Sequence, residues 1–394
     1  MNNKIYIVSE FVDTKQNSTG YYWFKIISAI SDIDKKINVI SSKKSIRIAE
    51  QNLNKSNVNF LFVKDKRISN LNPFRRAWND ILFSLRISLK ILRQTNKNDI
   101  VMTGTNPAFL FFFLSLIKIF KKFKLVVLVH DIFPENLIPS KVISNKYVIL
   151  LKPIIFLFNL AYSNTTSLIV IGRDMKQVLH EKLYSPNVII KYIPNFVDFS
   201  DLDSPNEINK VGRKIVFNFF GNLGHAQGID GLLEAILETN NENIKFNFIG
   251  NGVSEKLIKK FIEKHSHLDV NLHKDLLFEN KNEMLFKGNV AIVSLAKGMR
   301  GLAVPSKAYF SLAANKPILA IADKNSELEL LINENKNIGW FCTSGNPKEI
   351  SIQIKKIYED GINERNTEPF NVAKNSYEYK KISQQYINLI KEIN

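Results

Sequence analysis

The chain has 394 residues, more than one hydrophobic core usually serves, so two domains are expected. Hydrophobic residues make up 45% and charged residues 23%, the balance of a folded globular protein rather than a disordered or fibrous one. The single cysteine, Cys342, excludes an intramolecular disulfide, suits a reducing compartment and offers no metal cluster. The net charge of +17 is lopsided: residues 1–200 hold 29 Lys and Arg against 13 Asp and Glu, a net +16, whereas residues 201–394 hold 25 against 24. The first half is therefore expected to face something anionic, whether nucleic acid, a membrane surface or a phosphorylated acceptor.

The opening MNNKIYIVSEF reads as a strand and lacks the basic-then-apolar layout of a signal peptide. NSTGYYWFKIISAIS is expected to turn into a helix, INVISS and VNFLFV to be strands, and RRAWNDILFSLRISLKILRQ a long amphipathic helix with basic residues on its polar side. NDIVMTGT and KLVVLVHDI are strands around the helix FLFFFLSLIKIFKKF; TSLIVIGR, MKQVLHEKL and VIIKYIPN continue the alternation after KPIIFLFNLAY. The pattern restarts past the polar stretch DLDSPNEINKVGRK. It runs from KIVFNFFG through GIDGLLEAILET, IKFNFIGNG, SEKLIKKFIEKH and VNLHKDL to NVAIVSLA, PSKAYFSLAA, KPILAIAD, SELELLINE, IGWFC and KEISIQIKKIYED, with a last amphipathic helix in the tail. Alternating apolar strands and helices predict parallel sheets covered on both faces. The expected architecture is two α/β domains with a linker near 196–212 and a ligand at the carboxyl ends of the strands, in a cleft between the domains.

FLFFFLSLIKIF is interrupted by Lys118 and falls short of the roughly 20 apolar residues a membrane span needs. With KIFKKFK behind it, this helix suits a membrane interface, apolar side down and lysines on lipid phosphates; otherwise it packs on the sheet with a solvated basic end. KPIIFLFNLAYSN poses the same choice.

Six stretches carry chemistry-bearing residues. In KGMRGLAVPSKAYFSLAANKP, Gly298 and Gly301 make the backbone permissive and Pro305 stops the loop. Ser306 is expected to cap a helix whose first turn holds Lys307, with Arg300 just before it. Such a helix start attracts a phosphate, unless it is an ordinary capped helix with two exposed cations. FFGNLGHAQGID places Gly221, Asn222, Leu223, Gly224 and Gln227 between a strand and a helix, with backbone room and neutral donors for a diphosphate or a sugar hydroxyl. FIGNG, with Gly250 and Gly252, is a second strand-end turn, over which a base could stack or which is a plain tight turn. VLVHDIFPENL puts His130 and Asp131 at a strand end, where an imidazole serves as acid, base or donor, or simply as structure. NSTGYY, with Ser18, Thr19 and Gly20, and TGTNP, with Thr105, read as polar strand-end loops suited to a hydroxyl-rich ligand, or as plain connections.

Taken in order, VHDIFPEN, IPNFVDF, FFGNLGHAQGID, FNFIGNG and VPSKAYFSLAANKPILA resemble the GT-B retaining glycosyltransferases of family 4, above all the bacterial branch that builds O-antigen, capsule and exopolysaccharide. The resemblance implies an α/β fold of two Rossmann-like domains facing a central cleft, with a C-terminal helix crossing back to the N-terminal domain. Residues 1–196 with 376–394 would bind the acceptor and residues 197–375 the nucleotide sugar. It places the pyrophosphate near Gly221–Gly224 and the Pro305, Ser306 and Lys307 helix start, and the base near Gly250–Gly252 and the loop around His273–Phe278. His130 matches a histidine that approaches the donor sugar, Arg300 and Lys307 would stabilise leaving-group charge, and Asp131, Ser18, Thr19, Gly20 and Thr105 would face the acceptor. No metal and no cofactor are implied beyond a sugar nucleotide, a UDP-sugar, as co-substrate. Three departures stand out. Two glutamates of many members fall on Leu302 and Phe310, which removes a charge-assisted hydrogen bond worth about 1.5–3 kcal/mol to the ribose, with Glu327 as a substitute carboxylate. Asn222 and Gln227 stand where the family has an Arg/Lys pair, and Asn315 replaces a glycine.

The expected function is a metal-independent, retaining transferase peripheral on the inner face of the cytoplasmic membrane. It would move an N-acetylhexosamine or deoxy-amino sugar from a nucleoside diphosphate to a glycan on a polyprenyl pyrophosphate. The alternative is a non-catalytic GT-B subunit that binds a partner transferase or a glycan. Nucleic acid is disfavoured, because the aromatic-rich segments are apolar helices rather than exposed stacking platforms. A nicotinamide dehydrogenase is disfavoured because no G-x-G-x-x-G opens either half.

Overall fold

The computed structural model describes residues 3–64, 73–202, 214–274, 281–286, 288–335, 337–362 and 368–394. The chain divides into two compact units, one of residues 1–134, 149–194 and 380–394, the other of residues 135–148 and 195–379. Most of the linker expected near 196–212 lies outside the described residues.

The first unit is built on seven parallel strands: β1 (Ile5–Val8), β2 (Ile37–Ser42), β3 (Val58–Val63), β4 (Ile100–Gly104), β5 (Lys124–Val129), β6 (Ser167–Val170) and β7 (Ile189–Tyr192), in the order β3-β2-β1-β4-β5-β6-β7. Between them run α1 (Ser18–Ile30), α2 (Lys43–Asn52), α3 (Pro73–Gln94), α4 (Ala108–Lys121), α5 (Val148–Ser163) and α6 (Arg173–Lys182). The inner strands β1, β4 and β6 are buried along their whole length, as strands covered on both faces must be. Asn17 starts α1, its side-chain oxygen accepting from the Gly20 N–H at 2.8 Å. Ser42 caps α2 in the same way, a helix that the short, charged pattern KKSIRIAEQN did not announce. The last helix of the chain, α14 (Tyr379–Glu392), belongs to this unit from Lys380 onward. It is tied by Lys191 to Glu392 at 3.0 Å and by Lys124 Nζ to the Asn394 carbonyl at 2.9 Å.

The second unit repeats the plan with six parallel strands: β8 (Ile215–Phe220), β9 (Ile244–Ile249), β10 (Asp269–His273), β11 (Val290–Ser294), β12 (Ile318–Ala322) and β13 (Gly339–Thr343), in the order β10-β9-β8-β11-β12-β13. Its helices are α7 (Ile229–Thr239), α8 (Glu255–Lys264), α9 (Lys281–Phe286), α10 (Lys307–Ala313), α11 (Glu327–Glu334), α12 (Pro347–Asp360) and α13 (Glu368–Ser376). Register pairs Phe217 with Phe246 and Phe219 with Phe248, and their rings lie 5.5 and 5.9 Å apart. Such cross-strand aromatic pairs contribute about 0.2–1 kcal/mol each. Residues 135–148, which sequence alone assigned with the first half, group here: Lys141 forms an ion pair with Asp230 at the start of α7, and Pro139 lies against Gly298.

Both sheets are doubly wound, and in each the strand order reverses once, between β1 and β4 and between β8 and β11. Ligands of open α/β sheets bind beyond the carboxyl ends of the strands at that reversal, because the two flanking connections leave in opposite directions and open a crevice.

Candidate functional site

In the second unit the crevice beside β8 is lined by two glycine turns held edge to edge. Gly221 follows β8 with φ +105°, and its N–H donates to the Ile249 carbonyl at 2.8 Å. Gly250 takes φ +143°; a Cβ there would stand 2.0 Å from the Gly221 carbonyl oxygen. A Cβ on Gly252 would lie 2.4 Å from the carbonyl oxygen of Leu223, whose N–H bonds to the Asn251 carbonyl at 2.9 Å. The two turns thus pack backbone against backbone, which only residues without side chains permit. Gln227 turns its amide oxygen back onto the Gly224 N–H at 3.0 Å, so it stiffens the loop. Asn222 is exposed. Glu255 accepts from the Gly252 N–H at 2.9 Å and pairs with Lys274 at 2.6 Å, and the Lys274 hydrogen bond holds its carboxyl below the usual range. His273, exposed at the end of β10, supplies the carbonyl that receives the Gly250 N–H; residues 275–278 of the expected base loop lie outside the described residues.

The connection after β11 supplies the cations. Gly298 and Gly301 both take positive φ, as the permissive loop requires. Asp323, after β12, accepts from the N–H groups of Gly298 at 2.8 Å and Arg300 at 3.1 Å, and Arg300 Nε donates to the Asn325 carbonyl at 3.3 Å. Arg300 is exposed and anchored on that loop. Ser306 does not cap α10. It adopts helical angles, φ −61° and ψ −24°, and its side chain makes no capping bond, because Pro305 already feeds its carbonyl to the Ala308 N–H. Lys307 is not an exposed cation either. It is buried, its Nζ lies 3.5 Å from the centroid of the Phe219 ring, and it has no hydrogen-bond partner among the described residues. Burial pushes its ammonium down to about 7. Pro305 is partly buried beside it.

Leu302 and Phe310 are buried in the core, so the positions of the absent glutamates are filled with apolar packing. Glu327 is buried in the first turn of α11, two residues past Asn325. Asn315 stands at φ +56°, a left-handed position that asparagine tolerates better than most residues, which accounts for its replacing glycine.

In the first unit the reversal lies between β1 and β4. Ser18, Thr19 and Gly20 do not form a strand-end loop: they are the first turn of α1, and Gly20 is buried with its Cα against the Asp13 carbonyl. Thr105 is buried, and its hydroxyl oxygen accepts from the N–H groups of His130 at 3.1 Å and Asp131 at 3.2 Å, joining the ends of β4 and β5. A Cβ on Gly104 would meet the Trp23 indole nitrogen at 3.4 Å and His130 Cδ2 at 3.5 Å. Trp23 Nε1, His130 Nε2 and Ser9 Oγ are buried polar atoms without a partner among the described residues. Buried donors are rarely left unmade, so this group suits an oxygen-rich ligand. Sequence reasoning missed Trp23, which reads as one more apolar helix residue, and Ser9, Asp323 and Glu255, whose only signal is a place just beyond a strand.

Burial raises the Asp131 carboxyl to about 6 and lowers the His130 imidazole to about 4. The raised carboxyl binds its proton more tightly folded than unfolded, so its contribution is complete below pH 3.8 and lost as pH rises through about 6. The lowered imidazole acts in reverse, its contribution being complete above pH 6.5 and lost as pH falls through about 4. Asp131→Asn should therefore show a stability that climbs with pH across the imidazole window, and His130→Gln one that declines across the carboxyl window. Melting curves at half-unit pH steps check this; identical profiles for wild type and both variants would refute it.

Two doubly wound parallel sheets, each with a polar crevice at its strand reversal, define the GT-B class of glycosyltransferases. The family model described as Glycosyl transferases group 1 matches residues 201–375. The chain is 34% identical over 398 residues to the Pseudomonas aeruginosa protein named Probable glycosyltransferase WbjE, covering 98% of this chain and 96% of that one. A sucrose-phosphate synthase from Thermosynechococcus elongatus shares the fold with TM-score 0.75 at 9% identity, over 99% of each chain. Anabaena HepE, in complex with UDP and glucose, does so with TM-score 0.71 at 14% identity, over 99% of this chain and 100% of that one. The chain belongs to the group 1 glycosyltransferase family.

Proposed function

We propose that the chain moves a sugar, an N-acetylhexosamine or deoxy-amino sugar, from a UDP-sugar to a growing glycan on a polyprenyl pyrophosphate. Transfer retains the anomeric configuration and proceeds without a metal, at the cytoplasmic face of the membrane. The observation that carries the donor assignment is Lys307: a buried ammonium with no acceptor among the described residues, over Phe219 near the end of β8 at the strand reversal. A diphosphate supplies the missing counter-charge. HepE, a protein of the same fold, is described with UDP and glucose, which supports the choice of base.

In this reading Gly221–Gly224 and the Pro305–Lys307 turn receive the diphosphate, the Gly250–Gly252 turn receives the base, and Glu327 takes the ribose role of the absent glutamates. Lys307 and Arg300 stabilise charge that grows on the leaving group, where preorganised electrostatics acts most strongly. His130 contacts the transferred sugar, and Asp131, Thr105 and the start of α1 border the acceptor. The basic first half suits an acceptor that carries a pyrophosphate.

A thermal-shift panel of UDP-, GDP-, dTDP-, ADP- and CMP-sugars against wild type and Lys307→Met tests the assignment, since a ligand of the folded state raises its apparent stability. UDP-sugars should raise the wild-type midpoint and leave the variant unmoved. A shift with another base would replace UDP. Product NMR that shows inversion at the anomeric carbon would overturn retention.

Leu302 and Phe310, buried and apolar where the resemblance to family 4 implies glutamates, favour a second reading as a non-catalytic subunit bound to a partner transferase or glycan. Turnover by the purified chain alone excludes it; an absence of shift with every nucleotide supports it.

A further inference from the structure

Among the described residues the helix with the most exposed large apolar side chains is α5, not the phenylalanine-rich α4. Along α4, Leu110, Phe111 and Leu114 are buried, and Phe109, Phe111 and Phe112 pack on Phe158 of α5 at 5.9, 5.5 and 5.2 Å. Lys118 is not a solvated end either: its Nζ donates to the Asn164 carbonyl just beyond α5 at 2.9 Å. The phenylalanine run is thus the cement between α4 and α5. On α5 the outward positions are Ile149 at 67% exposure, Leu150 at 66%, Ile154, Leu157, Leu160 and Phe156 at 52%, whose ring also lies 6.0 Å from that of Tyr184. They recur at helical spacing on one side, and Lys152 is an exposed cation among them. At the carboxyl end of α4, Ile119 and Phe120, the latter 79% exposed, also face outward and are followed by Lys121 and Lys122. Neither α4 nor α5 contains an acidic residue.

We infer that the outer side of α5, with the carboxyl end of α4, inserts into an anionic lipid surface and lies in its plane. The inference deepens the proposed function, because it rests on a membrane-borne acceptor. Three features select this occupant. An isolated Leu, Ile or Phe on a surface is ordinary, whereas a continuous stripe along a whole helix is an interaction site. The stripe is edged by lysines in a half of the chain with net charge +16, so a second copy on the same face would set like charges together, whereas phosphate headgroups complement them. No described helix is long and apolar enough to cross a membrane, and the 16 residues of α5 extend about 24 Å, which suits a helix lying in the interface.

The test is co-sedimentation of the full chain with vesicles of phosphatidylcholine alone and of phosphatidylcholine with 30% phosphatidylglycerol, a composition chosen at roughly the anionic content of an inner membrane. Wild type should bind the mixed vesicles at least about tenfold more tightly than the neutral ones, and the preference should shrink as salt rises. The double variant Ile149→Glu, Leu150→Glu should lose that binding. Both positions are exposed, so its melting temperature and its UDP shift should match wild type. Mixed-vesicle binding that survives in the variant, or wild type that binds neither vesicle, overturns the inference. So does a concentration-dependent dimer that the same variant dissolves. A chain that shows the UDP shift but ignores vesicles refutes only this inference; one that binds vesicles but no nucleotide refutes only the donor assignment.

Discussion

Lys307→Met should abolish nucleotide binding and lower turnover by about 100- to 1,000-fold, while leaving the unliganded chain at least as stable as wild type. The Phe219 ring at 3.5 Å returns about 1–2 kcal/mol of cation–π attraction. Removing an ammonium from water costs several kcal/mol, and no hydrogen-bond partner among the described residues makes good the difference. The unliganded fold therefore carries Lys307 at a loss, which is why burial brings its ammonium to about 7. The pH dependence follows. From about 7 to the ordinary lysine value of 10.5 the unfolded chain holds a proton that the folded chain has released. Wild-type stability should rise as pH climbs through that window, and Lys307→Met should lack this rise. A bound diphosphate reverses the shift, so binding above pH 7 should draw a proton from solvent, visible as a buffer-dependent heat in calorimetry. A variant that loses stability yet still binds nucleotide would make Lys307 a structural strut instead.

Gly250→Ala should be among the most damaging single methyl groups in the second unit. Its Cβ would stand 2.0 Å from the Gly221 carbonyl oxygen, at φ +143°, and neither backbone is free to retreat. The Gly221 N–H is bonded to the Ile249 carbonyl and the Gly250 N–H to the His273 carbonyl at 2.9 Å, so the ends of β8, β9 and β10 would have to separate. Overpacking of this kind costs about 1–3 kcal/mol, and the disfavoured backbone angle adds to it. Nucleotide binding should fall by more than the stability loss explains, because the displaced turn is the one assigned to the base. Gly231→Ala is the counterpart. It lies in α7 with no heavy atom within 4 Å of the added Cβ, and should stabilise the chain by about 1 kcal/mol with binding unchanged. Urea melts and UDP titrations of the two variants check both statements. Equal behaviour would mean that the Gly250 turn is an ordinary connection.

Much of this molecule was legible in its residues because the signals are local. Apolar strands punctuated by Gly and Pro announce the alternation of β and α, and the restart at KIVFNFFG announces a second sheet. Two helices, α2 and α13, escaped because KKSIRIAEQN and EPFNVAKNS are short and polar, with few apolar residues to mark a buried face. The glycine turns after β8 and β9 could be read as candidate site loops, since a glycine just beyond a strand is visible in one dimension. Their mutual contact could not, because it depends on which strands pair. For the same reason Ser306 was legible as a capping residue type but not as a residue that Pro305 had made redundant, and Lys307 as a cation but not as one buried over Phe219. The sharpest division lies between α4 and α5. Both are apolar nearly all round, so composition names no inner face. Only the packing of Phe109, Phe111 and Phe112 onto Phe158 turns these phenylalanines inward and leaves Ile149 and Leu150 outside. The order of strands and helices was determined by the sequence itself. Which cations are buried and which apolar side chains stay exposed was decided by tertiary contacts, because burial belongs to a residue's neighbours in space and not to its neighbours in the chain.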